Sequence, residues 1–199
     1  MTATSTDFLQ AYYDQCCAVP SATRLHLPRL RALAEGCDLA IEFGVKRAAS
    51  SAALLLGASR VISYDLIATP EARALATKMG SRWRYVLMDT RHAPVTPCDL
   101  LFIDSLHTFA QVGTELRRHA DAVQRTLVFH DTITFGSVGA HGETGRHLWT
   151  YTPGVMMPPE ALGIRPAIDA LMIRDPSWRI HAHYTDSHGL LVLERHAIP

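Results

Sequence analysis

The stretch Asp38-Leu-Ala-Ile-Glu-Phe-Gly-Val45, the Ala- and Leu-rich run from Arg47 to Ala58, and Arg60-Val-Ile-Ser-Tyr-Asp65 together decide the fold. The outer two are short and β-rich, and the run between them has a helical composition, so the three read as a βαβ unit. Downstream, Thr69-Pro70-Glu71 combines a capping hydroxyl, a proline at the first helical position and an early acid, which signals a helix running to Gly80. Further strands are expected at Arg84-Tyr-Val-Leu-Met88, Asp99-Leu-Leu-Phe-Ile103 and Arg125-Thr-Leu-Val-Phe129, with a helix from Thr108 to Val123 between the last two. The fourth and fifth strands are almost wholly apolar, as parallel strands covered on both faces are. A helix from Arg165 to Ile173, halted by Asp175-Pro176, precedes Trp178 to Tyr184 and Leu190 to Glu194, which flank a His188-Gly189 turn and read as an antiparallel hairpin.

The expected fold class is therefore α/β: a Rossmann-like three-layer sandwich on a mostly parallel seven-stranded sheet with an antiparallel C-terminal hairpin. Upstream, Asp7 to Cys17 and Ser21 to Glu35 read as two helices. They form a helical cap over residues 1–37, ahead of an α/β domain over 38–199, in one compact whole.

Of the 199 residues 48% are apolar, which suits a single sizeable core. Lys plus Arg and Asp plus Glu number 19 each, so no basic excess is available to collect a phosphate backbone or an anionic membrane surface. Nucleic acid and membrane are thus set aside as partners in favour of a small molecule. The four cysteines, Cys16, Cys17, Cys37 and Cys98, form no CxxC pair and no disulfide-scaffold spacing. With no signal-peptide pattern, and a longest apolar run of only Ala52 to Leu56, a cytoplasmic protein is expected. Whether it forms a homo-oligomer is left open.

In an open parallel sheet, ligands settle beyond the carboxyl ends of the strands. Glu42 and Gly44 end the first strand here, Asp65 the second, Asp89 the third, Asp104 the fourth, and His130-Asp131 the fifth. So many acids on one rim point to a binding site. The Gly-rich stretch from Thr132 to Pro159, with His141, His147 and Trp149, is too long for a plain connector and reads as a lid or binding loop.

Ala40-Ile-Glu-Phe-Gly-Val45, Val61-Ile-Ser-Tyr-Asp65, Phe102-Ile-Asp-Ser-Leu-His-Thr108 and Val128-Phe-His-Asp-Thr132 follow in an order and spacing that resemble the class I S-adenosylmethionine-dependent methyltransferases. The likeness, over about Asp38 to Glu194, is to their small-molecule branch of metal-dependent sugar O-methyltransferases and cephalosporin-hydroxylase-like proteins. It implies methyl transfer from S-adenosylmethionine to a small-molecule acceptor, on oxygen. Glu42, Gly44, Asp65, Asp89 and Asp104 would bind the cofactor, with Gly44 turning the backbone so that helix N–H groups meet the amino-acid end, Asp65 accepting both ribose hydroxyls, and Asp89 near the adenine amino group. Asp104, His130 and Asp131 would hold Mg²⁺ or another divalent metal, which the imidazole tilts toward Mn²⁺, Fe²⁺ or Zn²⁺. The catalytic set is then Asp104, His107 and His130, His107 being placed to take a proton from the acceptor hydroxyl.

The turn departs from the family pattern, with Lys46, Ala48 and Ala49 where further glycines usually stand. That departure keeps two alternatives in view: a degenerate, non-catalytic binding or partner protein, and a nicotinamide-dependent oxidoreductase. The second lacks a GxGxxG turn.

Overall fold

The computed structural model describes residues 4–140 and 161–197. Strands β1 (Leu39–Phe43), β2 (Arg60–Asp65), β3 (Trp83–Leu87), β4 (Cys98–Ile103) and β5 (Val123–His130) run parallel, while β6 (Trp178–Tyr184) and β7 (Leu190–Arg195) complete the sheet antiparallel. Their order is β3-β2-β1-β4-β5-β7-β6. Helices α1 (Ser5–Ala18), α2 (Leu27–Ala34), α3 (Ala49–Gly57), α4 (Pro70–Met79), α5 (Phe109–His119) and α6 (Arg165–Arg174) cover it. The expected mixed seven-stranded α/β sheet is the one observed.

Strand alternation builds the two outer layers. Ala40, Leu100, Phe102 and Val128 turn to one face and pack with Leu9, Leu27, Leu30, Leu54 and Leu75 of α1 to α4. Ile41, Phe43, Leu101, Ile103, Leu127 and Phe129 turn to the other, against Val112, Leu116, Ile168 and Leu171 of α5 and α6. Continuing the same alternation puts Glu42, Asp104 and His130 on the α1–α4 face, the side from which the amino-terminal helices reach the sheet. α1 and α2 share that core, so the proposed cap is packed into the α/β body.

Several boundaries differ from expectation for physical reasons. The second helix begins at Leu27, after a short 3₁₀ turn over Arg24–His26, because Pro28 belongs in a first helical turn and would clash with the preceding turn of a longer helix. α3 begins at Ala49 because Lys46 (φ 49°) and Ala48 (φ 59°) adopt left-handed backbone, which no helix can include. α5 ends at His119 and gives way to a 3₁₀ turn over Ala120–Ala122, so β5 starts at Val123, two residues early. Of the stretch expected as a lid, only residues 132–140 lie within the described residues, where Val138 bridges to Leu162; His141, His147 and Trp149 lie outside them. No helix among the described residues is long and apolar enough to cross a membrane.

Candidate active site

A cleft of about 770 Å³ opens at the carboxyl ends of β1 to β5, within the usual size range of small-molecule sites. Gly44, Asp65, Asp89, Asp104, His107, His130 and Asp131, all singled out in the sequence, line it. Glu42 does not.

Glu42 corrects the sequence reading. Strand alternation turns its side chain beneath the turn, where it is fully buried and Oε2 accepts the hydroxyls of Ser51 (2.5 Å) and Ser63 (2.6 Å). Its other oxygen has no hydrogen-bond partner. Burial outweighs the serine hydroxyls and pushes its carboxyl up to about 7. A carboxyl raised above its ordinary 4.5 keeps a proton in the folded state that the unfolded chain has already released. The linkage sign follows: stability should fall as pH rises from about 4.5 to about 7. Glu42→Gln keeps an acceptor for both hydroxyls but cannot ionise. Urea unfolding of the two proteins is expected to show the variant gaining on the wild type by on the order of 3 kcal/mol across that window, whereas parallel curves would mean Glu42 is ionised throughout.

Gly44 (φ +89°) makes the tight turn expected of it, but the surface it approaches closely is the backbone of Asp104. The turn's own amides are engaged by Asp65. Val45 and Lys46 N–H donate to Asp65 Oδ2 at 2.7 and 2.8 Å, and Ile67 N–H to Oδ1 at 3.1 Å. A carboxylate offers about four acceptor positions, so Asp65 retains one on Oδ1 for a ligand while bracing the turn with the rest. The carboxylate of Asp89 is likewise engaged, by Arg91 through Nε (3.1 Å to each oxygen) and Nη2 (2.6 Å), and those hydrogen bonds hold it below its ordinary carboxyl range.

The ends of β4 and β5 bring four side chains into one cluster. His107 Nε2 and His130 Nδ1 each stand 3.1 Å from Asp104 Oδ1, His130 Nδ1 stands 3.3 Å from Asp131 Oδ1, and His107 Nδ1 stands 3.5 Å from Asp131 Oδ2. One donor atom from each of the four residues fits within 4.8 Å of the others. Burial alone would raise the Asp104 carboxyl, but the charge of His130 and the hydrogen bonds from both imidazoles hold it well below the usual range. His130 mirrors this: burial would lower it, but Asp104 and Asp131 carry it up to about 9. Phe135 stacks on the His107 ring, with centroids 5.2 Å apart.

His107 therefore belongs to the donor cluster as well as facing the cleft, a membership the Asp104-x-x-His107 spacing could have suggested. Other wall residues carried no sequence signal. Tyr12, Cys16 and Pro20 to Thr23 reach the cleft from the amino-terminal segment, and the Tyr12 hydroxyl donates to the Arg47 carbonyl of the turn. Beneath Thr90, Ser105 and Gln111, the fully buried Glu115 accepts hydrogen bonds from all three, and burial raises its carboxyl.

Neither a family model nor a curated protein matches the chain. Solved structures do. An O-methyltransferase from Bacillus cereus in complex with SAH is 15% identical, with 98% of this chain and 92% of that one covered and a TM-score of 0.62. SAH-bound Podospora anserina methyltransferase is 14% identical over 96% and 88% of the two chains, with a TM-score of 0.61. The 1,6-didemethyltoxoflavin-N1-methyltransferase of Burkholderia thailandensis, with 1,6-didemethyltoxoflavin and S-adenosylhomocysteine bound, is 19% identical over 97% and 87%, with a TM-score of 0.59. The fold is that of the class I S-adenosylmethionine-dependent methyltransferases.

Proposed function

We propose that the protein is an enzyme that transfers the methyl group of S-adenosylmethionine to an oxygen of a small-molecule acceptor, with a divalent metal held by Asp104, His130 and Asp131 and His107 beside them as the base. The observation that carries this reading is a single cleft in which Asp65, the turn at Gly44 and the four-residue donor cluster meet.

The residues fit the cofactor. α3 opens beside the cleft with no side-chain cap, so its first-turn N–H groups can receive a carboxylate, and Asp65 Oδ1 keeps an acceptor position for a ribose hydroxyl. Lys46 and Ala48 adopt the left-handed backbone that glycine takes most readily, so the lack of glycines does not by itself rule out a tight turn, and this weighs against the degenerate, non-catalytic reading. The residues fit a metal too: Asp131 Oδ1 is buried and makes no hydrogen bond, and it stands 3.3 Å from His130 Nδ1, beside the Asp104 carboxylate.

When bound, the sulfonium supplies an already activated methyl group, and the metal lowers the acidity threshold of an acceptor hydroxyl and orients it. The chain's part is positioning. Asp65 and the uncapped helix end would hold the donor, Asp104, His130 and Asp131 would hold the metal that binds the acceptor oxygen, and His107 would take the hydroxyl proton. Calorimetric titration of the full chain is expected to show binding of S-adenosylhomocysteine and none of NAD. Binding of NAD alone would instead support the oxidoreductase alternative. With a panel of hydroxylated acceptors, turnover is expected to stop on chelation and return with added metal. Turnover indifferent to chelator would take the metal out of the mechanism.

A further inference from the structure

His130 Nδ1 stands 3.1 Å from Asp104 Oδ1 and 3.3 Å from Asp131 Oδ1, so one imidazole nitrogen and two carboxylate oxygens face a common point and leave a further position for the acceptor oxygen. Mg²⁺ prefers oxygen ligands in an octahedron and retains water, whereas imidazole suits Zn²⁺, Fe²⁺, Ni²⁺ and their neighbours. Asp131 also takes left-handed backbone (φ 59°), a conformation Asp adopts more readily than most residues other than glycine.

A second observation lies behind His130. Its Nε2 faces the carbonyl of Ala22 at 3.3 Å. A carbonyl only accepts, so Nε2 carries a hydrogen and Nδ1 is the atom turned toward Asp104 and Asp131. This is the outer arrangement that fixes the ring and tautomer of a metal-binding histidine. The Ala22 carbonyl is itself pinned, because Ser187 Oγ–H donates to it at 2.6 Å from the β6–β7 turn. The Ser187 carbonyl in turn lies 3.1 Å from Nε2 of the buried His26, whose ring meets that of His130 edge-on at 5.4 Å. The amino-terminal segment and the hairpin turn thus close over the back of one ligand.

We infer that the cluster selects a borderline transition metal such as Zn²⁺ or Co²⁺ over Mg²⁺, and that Ala22, pinned by Ser187, is the outer partner that positions His130. The inference rests on the reading of the cluster as a metal centre, and goes beyond it in naming the class of ion and the positioning residues.

The test uses the full chain stripped with chelator, then titrated by calorimetry with Zn²⁺, Co²⁺ and Mg²⁺ in separate runs and with S-adenosylhomocysteine in another. One Zn²⁺ or Co²⁺ per chain is expected, with affinity on the order of 100-fold or more above that for Mg²⁺, and the intensity of the visible absorption of bound Co²⁺ reports its coordination number. Ser187→Ala, checked for fold by its thermal melt, is expected to weaken Zn²⁺ binding about 10-fold, at the low end of outer-partner effects. His130→Asp is expected to narrow the gap between Zn²⁺ and Mg²⁺. Equal or tighter binding of Mg²⁺ by the wild type overturns the metal selection, and undiminished Zn²⁺ affinity in Ser187→Ala overturns the role of Ala22. If S-adenosylhomocysteine binds but no metal does, the inference and the metal assistance fall together while the cofactor reading stands. If metals bind and S-adenosylhomocysteine does not, the reverse holds.

Discussion

Asp65→Ala is expected to weaken S-adenosylhomocysteine binding by about 100-fold or more, close to 3 kcal/mol. Two losses combine. The ribose loses its acceptor, and the N–H groups of Val45, Lys46 and Ile67 lose the carboxylate they share, leaving the turn free to move. A buried or half-buried donor deprived of its partner costs about 1–3 kcal/mol, so the variant should also melt earlier. Asp65→Asn separates the two effects, because one amide oxygen can still brace part of the turn. Calorimetric affinities of the three proteins, set beside their thermal melts, give the answer. An Asp65→Ala protein that keeps its fold and binds S-adenosylhomocysteine within a few-fold of the wild type would remove Asp65 from the cofactor site.

The second large effect is on the fold itself. A methyl added at Gly44 would stand 2.1 Å from the carbonyl oxygen of Asp104 and 2.6 Å from its carbon, at a φ of +89°. Neither the strand end nor the turn can yield, since Gly44 N–H is bonded to the Tyr64 carbonyl and Asp104 N–H to the Phe43 carbonyl. Gly44→Ala is therefore expected to cost more than about 4 kcal/mol, among the rare severe single substitutions. Gly36 provides the comparison: its φ is +74°, yet an added methyl there meets nothing within 4 Å. Gly36→Ala should cost only the conformational penalty, about 1–2 kcal/mol. Urea denaturation of both variants separates the clash from the backbone strain, and equal losses would show that the approach to Asp104 does not matter.

The sheet was legible because parallel strands buried on both faces leave long apolar runs, and Leu100 to Ile103 and Leu127 to Phe129 could scarcely be anything else. The rim was legible because an acid such as Asp65, Asp89 or Asp104 ends each run. Glu42 was misread because it sits two residues before the turn, where alternation points it inward; only the register separates a rim acid from a buried one. The amino-terminal helices were legible, but which of their atoms reach the cleft was not. Tyr12 and Ala22 act through a hydroxyl reaching a distant carbonyl and through a backbone oxygen, and neither leaves a compositional trace.

Lys46 and Ala48 carry a different consequence. A glycine at either place would roam widely in the unfolded chain and in the free protein, whereas an L-residue with a side chain visits fewer states in both. The turn has thus already given up much of its freedom before any ligand arrives, and binding has less disorder left to remove. A loop of this kind trades some conformational strain for a receptor that is rigid in advance, and restoring glycines to it would relax the protein while making each encounter with its ligand entropically dearer.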